Sequence, residues 1–596
     1  MQGIGRILAG AALLAGAYVA PPNRDRAWAE SPQPPSPGSP ADDTAFAVPR
    51  ITPRFGGNVP LPTPLAPSEA AQVERIYALQ RAGNLDQAAR ETALLGDNVL
   101  LGHLRADRLL RQGRQAPIAD LTAWLAAYAD HPEAPAVYAL LLRVKPQGQP
   151  LPAAPQVPML AQAAPGSAQP EEIDQLTQTA HNPWLEATLL AYIDRGKLND
   201  ALDLLHRSKW LPADDVTIMQ AAMARALFTQ NQDAEAFGVA TAAWSQNRRF
   251  GLPAYLAGLA AWRMGEVDVS RRWFEAAAEA PSGTASLEAG AAFWAARAAQ
   301  KLRDHAAAQA WLERAASKRL TFYGLLANRV LGRPVGFDWN NQLLGEADVD
   351  AIGATPQGAR AFALLQVGED TAAEAEFRAL WPTLQATPAM QRALLRVCDQ
   401  AHLSALASQL ASLIETADGG EDDLARFPIP QLHPAGGFTV DQSLVYALAR
   451  VESNFQSDLI SNEGARGMLQ VTPVAASYAR GRHGIPWGSL LDPAANLDLG
   501  QRYLIYLSGT DAVNQDLVYL LAAYNAGVGT VSRWNITDHG DPLLYIESIP
   551  LAQTRAFVPR ALAYSWVYAA RFHQPSDSLD ALAAGSWPLF TAQTKH

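Results

Sequence analysis

Cysteine is nearly absent from this chain of 596 residues, which contains a single one, Cys398. One cysteine excludes an internal disulfide framework and any Cys-rich zinc or iron–sulfur site, and we expect Cys398 to be a buried, unreactive thiol. Basic charge is also scarce, because 47 Lys and Arg stand against 58 Asp and Glu and leave a net charge of −11. That balance argues against a nucleic-acid-binding protein with a broadly basic surface, so no nucleic-acid partner is expected.

The apolar run near the start of the chain is short. Residues 7–20 are apolar, but these 14 residues are fewer than the roughly 20 that a helix needs to cross a bilayer. Arg6 precedes the run, and the small-residue sequence Ala27-Trp28-Ala29 follows it. This is the layout of a cleavable secretory signal. We therefore expect a signal peptide at residues 1–29, a mature chain in the periplasm and no transmembrane anchor.

Proline interrupts the next part of the chain, which has five prolines from Pro32 to Pro40. Because proline fixes φ and removes amide donors, residues 30–67 are predicted to form an extended segment. Residues 68–426 are rich instead in Ala, Leu, Gln, Glu and Arg, which favour helices. They lack the alternating β-branched runs that are typical of strands.

A short unit recurs in this helical region. Its copies are Arg81-Ala-Gly83-Asn-Leu85-Asp-Gln-Ala88, Asp194-Arg-Gly196-Lys-Leu198-Asn-Asp-Ala201, Arg263-Met-Gly265-Glu-Val267-Asp and the weaker Gln366-Val-Gly368-Glu-Asp-Thr-Ala372. We expect the glycine to end one helix in a left-handed conformation and the small Ala to let the next helix pack closely. The sequence therefore predicts an all-α fold in which helical repeats stack into a superhelical solenoid.

We divide this region into a superhelical scaffold domain at residues 68–340 and a small helical linker domain at residues 341–426. The division rests on Gly336-Phe-Asp-Trp-Asn340, which interrupts the helices. We favour a scaffold that holds another domain in place over the alternative, a peptide-binding groove. The aromatic side chains of the scaffold have the spacing of ordinary helix packing and are assigned to the core; they are Trp262, Trp273, Phe293, Trp294 and Trp311.

A change in composition at Phe427-Pro-Ile-Pro430 marks the next domain boundary. A helix is predicted to begin after it, with Thr439 or Asp441 as its N-cap. One side of this helix is apolar, and Glu452 lies at the edge of that side, in the last turn. Apolar surroundings and the negative end of the helix dipole both raise the pKa of such a carboxyl. A carboxyl that holds its proton at neutral pH is suited to general acid catalysis.

Several motifs follow in order, namely Glu452-Ser-Asn-Phe455, Ser461, Gly464-Ala-Arg-Gly467-Met-Leu-Gln470-Val-Thr-Pro473, Ala523-Tyr-Asn-Ala-Gly527 and Glu547-Ser-Ile-Pro550 with Thr554-Arg555. This ordered set resembles the catalytic domain of the soluble lytic transglycosylases, which have a lysozyme-like, mainly helical fold and cleave peptidoglycan. The resemblance implies a catalytic domain at residues 427–575 and a C-terminal tail at residues 576–596. Phe293-Trp-Ala-Ala-Arg297 and Phe322-Tyr-Gly-Leu-Leu-Ala327 similarly resemble the superhelix upstream in the large members of that family.

The resemblance implies that Glu452 is the single catalytic acid and base. The implied substrate-binding residues are Ser461, Met468, Gln470, Tyr524, Asn525 and Glu547. Among them, Tyr524 and Asn525 would position the muramyl residue and its N-acetyl group, and Glu547 would support the far wall of the cleft. No metal or organic cofactor is implied, since the nucleophile is the substrate's own C6 hydroxyl and the product ends in a 1,6-anhydromuramyl residue. Phe557 departs from the family, which usually has a tyrosine there.

Each implied binding residue also has a purely structural interpretation. Ser461 could form a turn, Tyr524 could be a packed core residue, and Glu547 could form a surface ion pair with Arg555 or Arg560.

Two other functions remain open at this point. A hydrolytic muramidase would use water as the nucleophile and leave a reducing end, and a non-catalytic solenoid adaptor would only grip the glycan. The expected partners are peptidoglycan glycan strands, with other cell-wall enzymes as a further class, and we expect a monomer.

Overall fold

The computed structural model describes residues 59–592, apart from residues 97, 146–150, 163–181, 209, 335, 340–342, 419–422 and 480–489. All of them belong to the unit Thr52–His596. The predicted signal peptide, the Pro-rich segment before residue 59, the predicted boundary at Asn340 and the last four residues of the predicted tail lie outside the described residues.

The described residues form α-helices joined by turns, with two short 3₁₀ segments (Gly113–Gln115 and Trp381–Leu384) and isolated β-bridges but no β-strand. The helices are α1 (Pro67–Arg81), α2 (Leu85–Leu94), α3 (Leu101–Gln112), α4 (Ile118–Ala127), α5 (Ala134–Val144), α6 (Pro183–Asp194), α7 (Leu198–Arg207), α8 (Ala213–Thr229), α9 (Asp233–Gln246), α10 (Gly251–Arg263), α11 (Val267–Ala278), α12 (Ala285–Lys301), α13 (His305–Ala316), α14 (Phe322–Val330), α15 (Glu346–Gly353), α16 (Pro356–Gln366), α17 (Asp370–Leu380), α18 (Pro388–Gln400), α19 (Ser404–Asp418), α20 (Asp423–Arg426), α21 (Gln442–Ser453), α22 (Pro473–Ala479), α23 (Pro493–Ser508), α24 (Leu517–Ala526), α25 (Val528–Val531), α26 (Pro542–Ser548), α27 (Ala552–Arg571) and α28 (Asp577–Ala583). The predicted all-α fold is confirmed.

A helix–turn–helix unit recurs seven times in this part of the chain. In each unit, one helix ends two residues before a residue of positive φ and the next helix begins two residues after it. These residues are Gly83, Gly196, Asn231, Gly265, Arg303, Gly368 and His402. The left-handed glycines were predicted from the sequence and are confirmed, because glycine adopts positive φ without steric cost. The three copies with Asn, Arg or His at this place were not recognised in the sequence.

The second helix of every unit has a small buried residue five positions after the left-handed residue. These small residues are Ala88, Ala201, Ala236, Ser270, Ala308, Ala373 and Ala407. A small side chain at this position lets the second helix approach the first closely. The predicted role of Ala88 and Ala201 is therefore confirmed, and the same rule extends to the units that lack glycine.

The units stack on one another. Consecutive helices from α8 to α14 pack against each other. The alternate helices also pack in order, α8 against α10, α10 against α12 and α12 against α14. This is how helical repeats bury a continuous core. The five aromatic residues assigned to the core are buried or partly buried in it.

The buried apolar side chains form three clusters. The largest joins residues 185–327 to residues 427–590, a second joins residues 65–104 to residues 344–425, and a third lies within residues 106–141. Cys398 is fully buried in the second cluster, as expected. The predicted domain boundaries stay a prediction. Within the described ranges, no helix has both the length and the apolar character needed to cross a bilayer.

Candidate active site

The predicted acid lies at the end of a buried helix, α21. The carboxylate of Asp441 accepts a hydrogen bond from the backbone N–H of Ser443, so Asp441 is the N-cap of the two that were predicted. The apolar side predicted for this helix is buried, but so are Tyr446, Ala447 and Ala449 on its other sides. The prediction of a single apolar side was too narrow, because α21 is packed against α27 inside the domain.

The chain turns sharply where α21 ends. Asn454 and Phe455 both have positive φ, at 52° and 66°. Residues other than glycine rarely adopt this conformation, and such residues are concentrated at functional sites. Immediately before them, Ser453 Oγ donates a hydrogen bond to the carbonyl of Met468 at 2.8 Å. This bond attaches the end of α21, and with it Glu452, to the segment at residues 459–471.

The carboxyl group of Glu452 is partly buried, and no charged group among the described residues shifts its pKa. No hydrogen bond or ion pair joins it to any residue that the structure describes, and the ten residues at 480–489 contain no Asp or Glu. Burial alone raises the pKa of Glu452 to about 8, because a carboxylate loses hydration when it is removed from water. The predicted direction of the shift is confirmed, and the group carries its proton at neutral pH.

The segment at residues 459–471 is held in a tight loop by Asn496, a fully buried residue of α23. The side chain of Asn496 accepts a hydrogen bond from the backbone N–H of Leu469 at 2.9 Å and donates one to the carbonyl of Arg466 at 2.8 Å. Gly467 lies directly against it, with φ of 71°, and a Cβ there would come within 2.5 Å of the Asn496 amide. Glycine is therefore required at this position by both backbone and space.

Met468 and Gln470 flank Leu469 in this loop, and both side chains are partly buried. Gln470 has positive φ, at 44°, and its side-chain amide donates to the carbonyl of Gly467 at 2.9 Å. These contacts fix where Gln470 points.

Tyr524 meets the same loop from α24. Its hydroxyl donates a hydrogen bond to the carbonyl of Leu469 at 2.6 Å, and its ring lies nearly parallel to that of Phe557, with 6.3 Å between centroids. Burial raises the pKa of Tyr524 well above its usual value, and the nearby Glu452 raises it further. Tyr524 is therefore a packed residue, in agreement with its purely structural interpretation. It also lies near Glu452.

Asn525 follows Tyr524 at the end of α24. Thr554 donates a hydrogen bond through its hydroxyl to Asn525 Oδ1 at 2.7 Å. This bond orients the Asn525 amide and uses its oxygen. Its N–H donors have no hydrogen bond to a described residue, which suits a donor for a ligand carbonyl.

Ser461 lies in a turn at the far end of the loop. Its backbone N–H donates to the carbonyl of Ala465 at 2.9 Å, and its hydroxyl donates to the carboxylate of Glu463 at 3.2 Å. The structural interpretation of Ser461 is therefore observed, and its contact with a sugar stays a prediction.

Glu547 belongs to α26 and is only 3% exposed. Its Oε1 accepts hydrogen bonds from the hydroxyls of Tyr255 and Tyr323, at 2.7 and 2.8 Å, and its Oε2 lies 3.6 Å from Arg225. The surface ion pair considered for Glu547 is wrong, because the carboxylate is buried. The structure brings the end of α21, the loop at residues 459–471 and Tyr524 together. It places the Glu547 carboxylate among residues of the solenoid, so its contact with a sugar stays a prediction.

The contacts of Glu547 are part of a larger polar junction. Alternate helices of the solenoid each hold a residue of the segment at 535–548, which includes α26. The hydrogen bonds run from Asn231 after α8 to the carbonyl of Asn535 at 2.7 Å, from Arg263 in α10 to Ser548 at 3.2 Å, and from Arg297 in α12 to Asp541 at 2.8 Å. Residues more than 200 positions apart thus meet here, which no local sequence pattern could indicate.

A second carboxyl group does not accompany Glu452 in the described part of the chain. Asp458 and Glu463, the acidic residues nearest in sequence, are exposed, as expected for a polar loop. No group of three or more potential metal ligands occurs among the described residues.

The supporting residues Ser453, Asn496 and Thr554 were not recognised as such in the sequence. Each is a buried polar residue whose partner lies in another element. Ser453 stands next to Glu452 and Thr554 belongs to the last motif, and these positions were the available signal. Asn496 had none, since an asparagine in a helix is usually exposed.

The comparisons with known proteins agree with this geometry. Residues 433–541 match the family model described as Transglycosylase SLT domain. This part of the chain is an SLT domain. The resemblance inferred from the motifs is therefore confirmed, and the match contains Glu452, the loop at residues 459–471 and Tyr524.

Curated relatives match a part of the chain of similar length. The soluble lytic murein transglycosylase of Escherichia coli (strain K12) is 36% identical over 138 residues, which are 22% of this chain and 21% of the relative. The membrane-bound lytic murein transglycosylase C of Klebsiella pneumoniae is 36% identical over 106 residues, which are 16% of this chain and 29% of the relative. The chain thus spans about a fifth to a third of the length of these two curated relatives.

Solved structures resemble most of the chain in fold. A lytic transglycosylase of Pseudomonas aeruginosa, crystallised as an inactive mutant, has a TM-score of 0.57 at 19% identity over 85% of this chain and 97% of that one. A 70-kDa soluble lytic transglycosylase in complex with bulgecin A has a TM-score of 0.54 at 18% identity with the same coverage. The predicted order of a helical-repeat solenoid followed by a lysozyme-like domain is confirmed.

Proposed function

We propose that this chain is a peptidoglycan lytic transglycosylase that cleaves the β-1,4 bond between N-acetylmuramic acid and N-acetylglucosamine. The observation that carries the proposal is the Glu452 carboxyl, which burial keeps protonated beside the Tyr524 ring and the loop at residues 459–471. An acid of this kind is able to protonate the oxygen of a glycosidic bond. The SLT domain and its relatives supply the substrate class.

Among the residues that the structure describes, no second carboxyl group shifts the pKa of Glu452, and this favours the proposed reaction over ordinary glycoside hydrolysis. Hydrolytic glycosidases use two carboxyl groups, about 5–5.5 Å apart when they retain the anomeric configuration and about 6.5–9.5 Å apart when they invert it. In a lytic transglycosylase the second group is unnecessary, because the nucleophile belongs to the substrate. Intramolecular attack also gains effective concentration without a bound water.

The reaction begins with proton transfer from Glu452 to the glycosidic oxygen. The bond from that oxygen to the muramyl C1 breaks, and positive charge develops at C1. Glu452, now ionised, accepts the proton of the muramyl C6 hydroxyl, whose oxygen forms the new bond to C1. The products are a free hydroxyl on N-acetylglucosamine and a 1,6-anhydromuramyl end, with Glu452 protonated again.

The other predicted residues have supporting roles in this proposal. Asn525 presents its amide N–H to the N-acetyl carbonyl of the muramyl residue, and Tyr524 packs beside it. Met468, Gln470 and Ser461 line the cleft. Glu547 has a structural role, because the solenoid holds α26 through its carboxylate.

We further propose the domain boundaries and location that follow from the sequence. The scaffold domain spans residues 68–340, the linker domain spans residues 341–426 and the catalytic domain spans residues 427–575. The mature chain, released from a signal peptide at residues 1–29, acts in the periplasm on glycan strands as a monomer.

The test is a digest of purified peptidoglycan sacculi, followed by mass spectrometry of the soluble fragments. We expect muropeptides with 1,6-anhydromuramyl ends, each lighter by one water than the corresponding reducing product. Glu452→Gln keeps the shape of the side chain but removes its transferable proton, and it should release no fragments above the background. Asp458→Asn is the matched control, since it neutralises an exposed carboxyl in the adjoining loop and should retain activity.

Three results would overturn this proposal. Reducing ends in place of anhydro ends would indicate a muramidase. Binding to sacculi without any released fragment would indicate a non-catalytic adaptor. Release by Glu452→Gln at the rate of the unchanged chain would remove Glu452 from the mechanism.

A further inference from the structure

Four tyrosine rings form a continuous row that begins at the candidate active site. Tyr524 on α24 contacts Tyr503 on α23, with 5.9 Å between ring centroids. Tyr503 contacts Tyr506 at 6.2 Å, and Tyr506 contacts Tyr478 on α22 at 5.0 Å. In the last two pairs the ring planes are only 16° apart. We call these four residues the tyrosine row.

The outer half of the tyrosine row lies on the surface. Tyr478 is 54% exposed and Tyr506 is 39% exposed, and Val474, one turn before Tyr478 on α22, is 66% exposed. The hydroxyls of Tyr478, Tyr503 and Tyr506 have no hydrogen bond to a described residue. Exposed aromatic surface of this kind is unfavourable in water, so packing of the domain interior does not explain it.

We propose that the tyrosine row binds further sugar residues of the glycan strand whose cleaved bond lies at Glu452. The inference rests on the proposed function, because the row is assigned to glycan through its continuity with Tyr524. It extends the site beyond the residues that the motifs indicate, onto α22 and the outer part of α23.

The chemistry of the row suits an amino-sugar polymer. The axial C–H groups of a pyranose ring are weakly positive and pack on the negative face of an aromatic ring. The free tyrosine hydroxyls provide donors and acceptors for sugar hydroxyls and N-acetyl groups. On α23, Arg502 lies 2.8 Å from Asp498, so these two charges compensate each other. These features fit the sugar rings of a glycan strand.

The geometry of a polymer substrate gives a second reason. The sugars next to those at the cleaved bond must lie on the surface of the same domain. A row of rings in mutual contact that leads outward from Tyr524 provides such a path without a gap. Ligand sites are commonly lined by aromatic side chains with a few polar groups, and the tyrosine row has this composition.

The test compares binding and kinetics in the full mature chain and in variants of the two exposed tyrosines. Tyr478→Ala and Tyr506→Ala remove the ring, singly and together, and Tyr478→Phe and Tyr506→Phe are matched controls that keep it. The binding probe is the β-1,4-linked hexasaccharide of N-acetylglucosamine, measured by calorimetry. We expect the double Ala variant to raise Kd about tenfold and the Phe variants, which lose only the hydroxyls, to raise it by a smaller factor. With peptide-free glycan strands as substrate, the loss in kcat/KM should be carried by KM.

The outcomes separate this inference from the proposed function. If the unchanged chain releases anhydromuropeptides but the Ala variants bind the hexasaccharide and cleave strands as it does, the tyrosine row is not a glycan site. If affinity falls only for strands that carry stem peptides, the occupant is peptide and the inference is wrong. If the chain releases nothing but hexasaccharide binding still depends on the two rings, the inference stands and the proposed function fails. Both tyrosines are exposed, so the single Tyr478→Ala variant should fold, and its melting temperature checks this.

Discussion

Replacing Glu452 by Gln should stabilise the protein, and the gain should grow with pH. A glutamic acid has a pKa of 4.5 when it is free in the unfolded chain, and burial raises the pKa of Glu452 to about 8 in the folded protein. Between these two values the folded state binds one proton more than the unfolded state. The free energy of unfolding therefore falls as pH rises through this window, and it is constant again above the folded pKa.

The size of the effect follows from the separation of the two pKa values. Each pH unit above 4.5 costs about 1.4 kcal/mol of stability, which amounts to about 3 kcal/mol at pH 7. Glutamine cannot ionise, so the variant lacks this pH-dependent cost. Its amide has its own cost of burial, but that cost does not change with pH.

The assay is the melting temperature of the unchanged chain and of Glu452→Gln at pH 5 and at pH 8. The melting temperature of Glu452→Gln minus that of the unchanged chain should be larger at pH 8 than at pH 5. Asp458→Asn is the control, because that carboxyl is exposed and its replacement should leave the difference flat. Activity gives a second readout, since the rate should fall as pH rises above about 8 and Glu452 loses its proton. If the difference in melting temperature is the same at both pH values, Glu452 is ionised in the folded protein. That result would refute the argument that burial keeps its carboxyl protonated.

Three further predictions concern the rest of the molecule. Tyr323→Phe removes one hydrogen bond to the buried Glu547 carboxylate and should lower the stability of the chain by about 2 kcal/mol, as measured by chemical unfolding. His103 is held between two carboxylates that raise its pKa from 6.5 to about 9, so its stabilisation is complete below pH 6.5 and is lost as pH rises through 9; His103→Gln should flatten the melting temperature over that range. Arg303→Gly should raise the stability by about 1 kcal/mol, because an exposed arginine with positive φ is strained, whereas Gly265→Ala should lower it by a similar amount in the same melting experiment.

The solenoid could be predicted from sequence wherever a glycine marks the turn. Gly83, Gly196 and Gly265 lie between helices as expected, since glycine is the residue that most easily adopts positive φ. Arg303 and His402 occupy the same place in other units, and nothing in their side chains indicates it. In these units the small residue five positions after the left-handed residue is the more general signal. Close packing of the two helices requires it, whichever residue has positive φ in the turn.

The raised pKa of Glu452 could also be predicted, but the residues that support the candidate site could not. Glu452 was identified from a helix end and an ordered set of motifs, and the direction of its pKa shift follows from elementary electrostatics. Asn496, which holds the loop beside it, contacts residues 27 to 30 positions away in sequence. The partners of Glu547 lie more than 200 positions away. Contacts of this range depend on how the helices stack, which periodicity alone does not determine.

The position of these distant partners bears on what the solenoid does. Its alternate helices hold the segment at residues 535–548, and that segment leads directly into α27. From α27, Thr554 orients Asn525 and Phe557 packs on Tyr524. A change in the stacking of the repeats would therefore act on α26, which packs against α27. The solenoid is part of the support of the site, and a separated SLT domain would lack the partners of a buried carboxylate that it retains.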